Sequence, residues 1–165
     1  LREEVNGIQK PHLEYEDLAK LPECEAAIKE ALRMHPSVQL QQRRTIRECE
    51  IGGYTIPANT ILFLAPSYLH RDPTVWDSPD TFDIDRWFEP RNEHKRHSFG
   101  FVGFGGGAHK CIGMHFALMN AKMFLHQFLT KFEFELGADS SHTFQTIPMP
   151  KPADDLPLLI RPLSV

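Results

Sequence analysis

The stretch FVGFGGGAHKCIGMHF, residues 101–116, carries glycine at positions 103, 105, 106 and 107, shortly before a lone cysteine. Glycine permits positive φ angles and close approach to the backbone, at a cost of about 0.5–1 kcal/mol relative to alanine in regular structure. A loop that accepts this cost repeatedly predicts a flat ligand lying against it. Cys111 stands where a helical run begins, and unpaired N–H groups at a helix start favour a thiolate, which is a good metal ligand.

Two other interpretations compete for this stretch. A phosphate-binding loop requires GxxxxGK[ST], but Lys110 is followed by Cys111 rather than by Ser or Thr. An inert buried cysteine at a tight turn is the ordinary interpretation of any lone cysteine. The pattern around Cys111 decides between that interpretation and a metal ligand.

The pattern is Phe104-x-x-Gly107-x-His109-x-Cys111-x-Gly113, and it resembles the haem-binding signature of the cytochrome P-450 family of haem-thiolate monooxygenases. The resemblance implies that Cys111 is the catalytic axial thiolate on the iron of haem b (heme b, iron protoporphyrin IX). It also implies that Phe104 packs near the sulfur and that His109, where family members more often have Arg, meets a haem propionate. The glycines expected to allow close approach of the haem are Gly105, Gly107 and Gly113.

The segments upstream of the loop extend the resemblance. Glu30 and Arg33 in KEALR are three residues apart, so they share one helix face and can pair. The family places such a Glu-x-x-Arg pair upstream of its cysteine and adds an arginine from an irregular segment, here Arg86 in FDIDRWF. By this resemblance the three residues hold the haem-side fold together and take no part in the chemistry.

The residues after that helix resemble the family's link into a small sheet. Alignment on GGYTIP makes Arg43 the expected partner of a haem propionate, with Arg44 as the alternative. The family borders its substrate cavity with the residues just before this arginine and with a later stretch, here 146–149. The candidate substrate-contacting residues are Val38, Gln39, Leu40 and Ile147. Glutamines at 39, 41 and 42 stand where apolar residues are usual, and they either face away from the cavity or satisfy a polar group of the substrate.

The resemblance implies a mainly α fold with small β-sheets, the α+β class, and periodicity and turn residues before the loop predict several of its elements. ECEAAIKEALRMH predicts a helix that ends at His35, before Pro36. CEIGGYTIPANTILFL predicts short antiparallel strands that turn at Gly52 and Gly53. Residues 66–91, rich in Pro and Asp with spaced aromatic residues, predict an ordered but irregular segment.

Beyond the loop, Ile112, Phe116, Met119 and Met123 recur at helical spacing and predict the face of a long buried helix that ends near Lys131. KFEFEL and PLLIRPL predict a pair of strands. The chain begins in charged helix formers without a cap. The resemblance covers nearly the whole chain but only part of the family fold, so it implies that residues 1–165 are the C-terminal, haem-binding part of a single cytochrome P-450 domain whose N-terminal part is absent.

Composition limits the partners of the chain. A formal net charge of -4 and a pI near 6.1 give no overall attraction to nucleic acid or to an anionic membrane. No apolar run reaches the roughly 20 residues of a membrane span. The resemblance places the family's membrane anchors at the absent N-terminus, so membrane association is undetermined from this sequence. Three cysteines in unlike contexts favour a reducing intracellular environment over a disulfide framework, either cytoplasmic or membrane-anchored through an absent N-terminus.

The resemblance also implies an activity. A complete family member takes electrons from NAD(P)H through a ferredoxin or a flavoprotein reductase, inserts one atom of O2 into an apolar, sterol-like or other lipid substrate, and releases the other as water. The basic run RNEHKRH at 91–97, together with Lys110, is a candidate docking face for an acidic electron donor. Two alternatives stay open: a haem-thiolate peroxygenase or isomerase without a redox partner, and a non-enzymatic fragment unable to fold alone.

Overall fold

The computed structural model of the protein describes residues 1–141, 143–146 and 149–163. The α-helices of these residues are Arg2–Asn6 (α1), Pro22–Met34 (α2), Pro66–Leu69 (α3) and Met114–Lys131 (α4). The strands are Gln41–Arg44 (β1), Cys49–Ile51 (β2), Tyr54–Ile56 (β3), Ile61–Leu64 (β4), Phe132–Leu136 (β5), Phe144–Gln145 (β6), Lys151–Pro152 (β7) and Leu158–Pro162 (β8). Short 3-10 helices cover Tyr15–Lys20, Ile84–Trp87, Glu93–Lys95 and Gly107–His109. The expected α+β class is confirmed.

Helix α2 forms as its sequence predicts. Pro22 occupies the first turn, where its missing N–H is harmless, and the helix ends at Met34 with His35 as its C-cap. The predicted end is therefore confirmed. The buried stripe of α2 contains Glu30 and Arg33 as well as small apolar residues, so one end of this helix enters the core with charged side chains.

The sheets of the described residues are two-stranded and antiparallel. The β2–β3 hairpin turns through Gly52 and Gly53, whose φ angles are 59° and 81°, as predicted. Strands β5 and β8 pair with Phe134 opposite Ile160, which confirms the predicted pair. Strand β4, in contrast, pairs with β1, the sequence QQRR, which shows no strand pattern of its own.

Helix α4 ends at Lys131 as predicted, but its expected burial is wrong. Ile112 precedes the helix and is fully exposed, and Phe116 and Met123 are exposed by 65% and 41%. The buried positions of α4 are Lys122, His126 and Leu129. These positions differ because α4 contacts α1 and α2, whereas none of the described residues covers the Phe116 face. Periodicity identified the residues that share a face but did not show which face is packed.

Two apolar clusters support the fold. The first joins α1, α2 and α4 through Val5, Leu21, Cys24 and Leu129. The second packs Trp76 and Trp87 against Ala26 of α2, with ring centroids 5.6 Å apart. The second cluster anchors the irregular segment 66–91, which agrees with its predicted order. None of the helices formed by the described residues has both the length and the apolar character of a membrane span.

His126 is a buried residue of α4, the helix that contributes Leu129 to the first cluster, and its replacement tests the cost of an unsatisfied buried side chain. Its side chain is 1% exposed, and neither ring nitrogen has a hydrogen-bond partner among the described residues. Because an unsatisfied buried polar group costs about 1–3 kcal/mol, we expect His126→Leu to raise the free energy of unfolding by about 1 kcal/mol in urea titrations. The exposed His12 supplies the control, His12→Leu, with little change. A loss of stability in His126→Leu would show that the imidazole has a partner.

Candidate functional site

The cysteine loop, residues 101–113, is held by its own backbone. The Cys111 N–H donates to the Phe104 carbonyl at 2.8 Å, and the Gly105 N–H donates to the Val102 carbonyl at 2.8 Å. Gly105 and Gly107 have φ angles of 74° and 62°, which side-chain-bearing residues rarely adopt. The loop thus presents an exposed Cys111. Helix α4 begins three residues later than expected, so Cys111 lies before the helix rather than in its first turn.

The surroundings of Cys111 fit a flat apolar group such as a haem. Ile112 and Phe116, which follow Cys111 in the chain, expose their apolar side chains. A side chain at Gly107 would meet no atom within 4 Å, so its backbone is open to a ligand. Phe104, within the loop, is half-buried. A soft thiolate suits haem iron, and the exposed apolar residues suit the macrocycle.

Strand β1 brings a candidate cation towards the loop. Gln41 and Arg43 are half-buried on one face of the strand, whereas Gln42 and Arg44 are exposed on the other. The Gln41 side-chain nitrogen lies 3.9 Å from the position that a Cβ on Gly105 would take. The face that carries Arg43 therefore turns to the loop, which favours Arg43 over Arg44 as a partner for an acidic group bound there.

The structure places the other predicted binding residues as follows. His109 is exposed at the end of the Gly107–His109 turn. Val38 and Leu40 are exposed by 54% and 58% in the segment before β1, and Gln39 is half-buried. Ile147 lies outside the described residues. The structure therefore shows no pocket formed by Val38, Gln39 and Leu40 among the residues it describes.

Glu30, Arg33 and Arg86 meet in the interior, each with no exposed surface. Arg33 donates to the Glu30 carboxylate from Nε and Nη2 at 2.9 Å, and Arg86 donates from Nε at 2.9 Å. Trp87 adds an indole N–H at 3.1 Å. Burial raises the pKa of Glu30, but hydrogen bonds from Arg33 and from the backbone of Asp83, with the charges of both arginines, hold it below its usual value. The carboxylate is therefore ionised and fully bonded.

The sequence interpretation missed a second buried carboxylate in this network. Glu93 has no exposed surface and accepts hydrogen bonds from Arg86, from Arg91 and from the backbone N–H of Asp77. Its place within the charged run RNEHKRH suggested solvated surface. Its spacing seven residues after Arg86 gave no independent signal.

His70 is the second missed residue. It has no exposed surface, its ring stacks on Phe101 with centroids 5.3 Å apart, and both ring nitrogens are hydrogen-bonded to backbone groups. Burial, with the nearby charges of Arg33 and Arg71, lowers the pKa of His70 to about 4. A single histidine far from the cysteine in sequence gave no sign of this role.

A cleft of about 740 Å³ lies beside the cysteine loop and is bordered by Lys29, Lys110 and Lys122. Glu25 pairs with Lys29 at 2.6 Å and also with Lys122. Lys110 is exposed, and the described residues provide it with no ion-pair partner.

The basic run 91–97 is less cationic than its sequence indicates. Arg91 pairs with Asp83 and Glu93, and Arg96 pairs with Asp77. These carboxylates neutralise two of the charges on which the predicted docking face depended. Lys95 also lies 3.8 Å from Glu89, so Lys110 is the exposed lysine of that face without an ion-pair partner in the described part of the chain.

Comparisons with known proteins agree on one family. The family model described as "Cytochrome P450" matches residues 1–157. Cytochrome P450 136 of Mycobacterium tuberculosis is 40% identical over 151 residues, which cover 91% of this chain and 31% of that protein. Cytochrome P450 4V2 of Mus musculus is 39% identical over 133 residues, or 81% of this chain and 25% of that protein. The solved structure described as "Retinoic acid bound cyanobacterial CYP120A1" matches with a TM-score of 0.91 and 30% identity, over 98% of this chain and 38% of that chain.

Proposed function

The chain belongs to the cytochrome P450 family, and from this premise we propose that it supplies the thiolate side of a haem-dependent monooxygenase. The exposed thiol of Cys111, raised on a self-bonded glycine loop among exposed apolar side chains, carries the proposal. The chain spans 31% of the first of its curated relatives. The proposal therefore concerns the part that this chain plays in a full-length protein.

Five residues of the loop and of β1 have a part in this function. The Cys111 thiolate would ligate the iron of haem b. Gly107, where a Cβ would meet no atom within 4 Å, would leave its backbone open to the macrocycle, and Gly105 with its positive φ would hold the turn of the loop. Arg43, on the loop-facing side of β1, and His109, at the exposed end of its turn, bind the propionates. When bound, haem with a thiolate ligand supplies O–O bond cleavage, so that one atom of O2 enters the substrate and the other leaves as water.

We also propose a substrate class and an electron donor for the full-length protein. The similar structure described with bound retinoic acid supports an apolar, sterol-like or other lipid substrate. The two electrons that the reaction requires come from a ferredoxin or a flavoprotein reductase. Lys110, exposed next to the ligand cysteine, offers an acidic donor a cation at the edge of the loop.

The test is a carbon monoxide difference spectrum of the reduced full-length protein. We expect a Soret band shifted strongly to the red in the wild type and no such band in Cys111→Ala. Cys49→Ala is the matched control, because Cys49 is half-buried in β2 and free of the loop. A haem spectrum without the shift in the wild type, or a shift that persists in Cys111→Ala, would contradict thiolate ligation by Cys111.

A further inference from the structure

His70 connects two parts of the fold that are distant in sequence. Its Nδ1 lies 3.1 Å from the carbonyl oxygen of Arg33 in α2, and its Nε2 lies 2.9 Å from the backbone nitrogen of Val102 at the start of the cysteine loop. The ring also stacks on Phe101, the residue before Val102. One side chain thus spans from the charged end of α2 to the entrance of the loop.

The two partners define the protonation state of the ring. Since the backbone N–H of Val102 can only donate, Nε2 must accept and carries no proton. Since the Arg33 carbonyl can only accept, Nδ1 must donate and carries the proton. Only the neutral imidazole with the proton on Nδ1 satisfies both contacts.

We propose that His70 is a positioning residue for the cysteine loop: through its neutral ring it fixes the Val102 backbone relative to α2, and so sets the place of Cys111. Two hydrogen bonds within the loop support this role. The Val102 carbonyl accepts the Gly105 N–H, and the Phe104 carbonyl accepts the Cys111 N–H. A chain of backbone hydrogen bonds therefore runs from the residue that His70 holds to the cysteine. A ring held on both edges and on one face has no freedom to rotate, so it transmits the position of α2 to the loop.

The charges that face His70 favour the neutral ring. The Arg33 guanidinium of α2 donates to the carbonyl of His70 at 2.7 Å, and Arg71 follows in the chain. The loop side contributes Phe101 and Val102, which carry no charge. Protonation would place a cation between these arginines and would turn Nε2 into a donor that faces the donor of Val102, so acid is expected to release the loop.

Paired variants of the full-length protein test the role through amide hydrogen exchange at Val102. His70→Gln places its amide oxygen near the position of Nε2 and retains an acceptor for Val102, whereas His70→Asn reaches only the position of Nδ1 and retains the Arg33 contact. We expect the Val102 amide to exchange about tenfold faster in His70→Asn and in His70→Phe, with much smaller change in His70→Gln. Equal exchange in all three variants, compared at equal global stability, would overturn the proposal.

A pH profile adds a second readout. The folded pKa of about 4 lies below the unfolded value of 6.5, so the unfolded chain binds the proton more readily and the stabilisation by His70 is lost as pH falls from about 6.5 towards 4. The intrinsic rate of amide exchange itself falls as the pH falls, so the readout is the protection factor of Val102, the intrinsic rate divided by the observed rate. This factor should fall in the wild type over this range, and His70→Gln should remove that component. A pH-independent difference between the two proteins would contradict the proposal.

The positioning role of His70 rests on the proposed function in one respect: the place of Cys111 matters because Cys111 is proposed to bind the haem iron. The red-shifted carbon monoxide spectrum reports on thiolate ligation, whereas Val102 exchange reports on His70 even without haem. Loss of the spectrum with intact His70-dependent exchange would refute the proposed function alone. An intact spectrum with His70-independent exchange would refute the positioning role alone.

Discussion

Replacing Glu30 with glutamine is expected to lower the free energy of unfolding by about 3–5 kcal/mol, because the change leaves two buried arginines without their shared carboxylate. Glu30 has no exposed surface and accepts five hydrogen bonds, two of them from Arg33 and one from Arg86. Glutamine keeps the size of the side chain but turns one acceptor into a donor that faces other donors. The remaining positive charges cannot reach water without opening the core.

Urea unfolding of the full-length protein measures this loss, and Glu135→Gln is the surface control. Glu135 pairs with Arg161 at 3.8 Å, and both side chains are more than two-thirds exposed, so the control should cost at most about 1 kcal/mol. A similar small cost for Glu30→Gln would mean that water or movement of the arginines compensates for the lost charge.

The fold elements that the sequence predicted correctly are those specified by local patterns. Helix α2 has helix formers between two prolines, and the β2–β3 turn has the two glycines that its positive φ angles require. Strand β1 was missed because QQRR is polar throughout, and its strand conformation depends on pairing with the distant β4. Pairing between distant segments leaves no periodic trace in either one.

The candidate site also separates features specified by local sequence from features that depend on contacts between distant residues. The loop signature predicted glycine flexibility, and Gly105 and Gly107 have the positive φ angles that glycine favours. That Cys111 is the metal ligand stays a prediction. His70 and Glu93 were missed because their roles come from groups that lie near them only after folding: the Val102 amide and the Arg86 guanidinium. A lone histidine and a charged run are usually solvated surface, and no spacing rule distinguishes these two from that majority.

Glu93→Gln is expected to lower the free energy of unfolding by about 3 kcal/mol, less than Glu30→Gln. The four fully buried charged groups of the network are Glu30, Arg33, Arg86 and Glu93, which together carry no net charge. The three residues recognised from the sequence would alone leave one positive charge in the core. Removing the charge of Glu93 creates that imbalance, but its other partner, Arg91, is about one-third exposed and can turn to water.

A double-mutant cycle distinguishes charge balance from separate contacts. Arg86 donates to both carboxylates, so once Glu30 has lost its charge, the loss of Glu93 removes the last anion that this guanidinium contacts. If the charges act as one unit, the double variant should differ from the sum of the two single losses by about 0.5–3 kcal/mol. Urea unfolding of all four proteins measures this term. Strict additivity would show that Arg86 binds its two carboxylates independently, and that the network is two ion pairs sharing a residue rather than a balanced cluster.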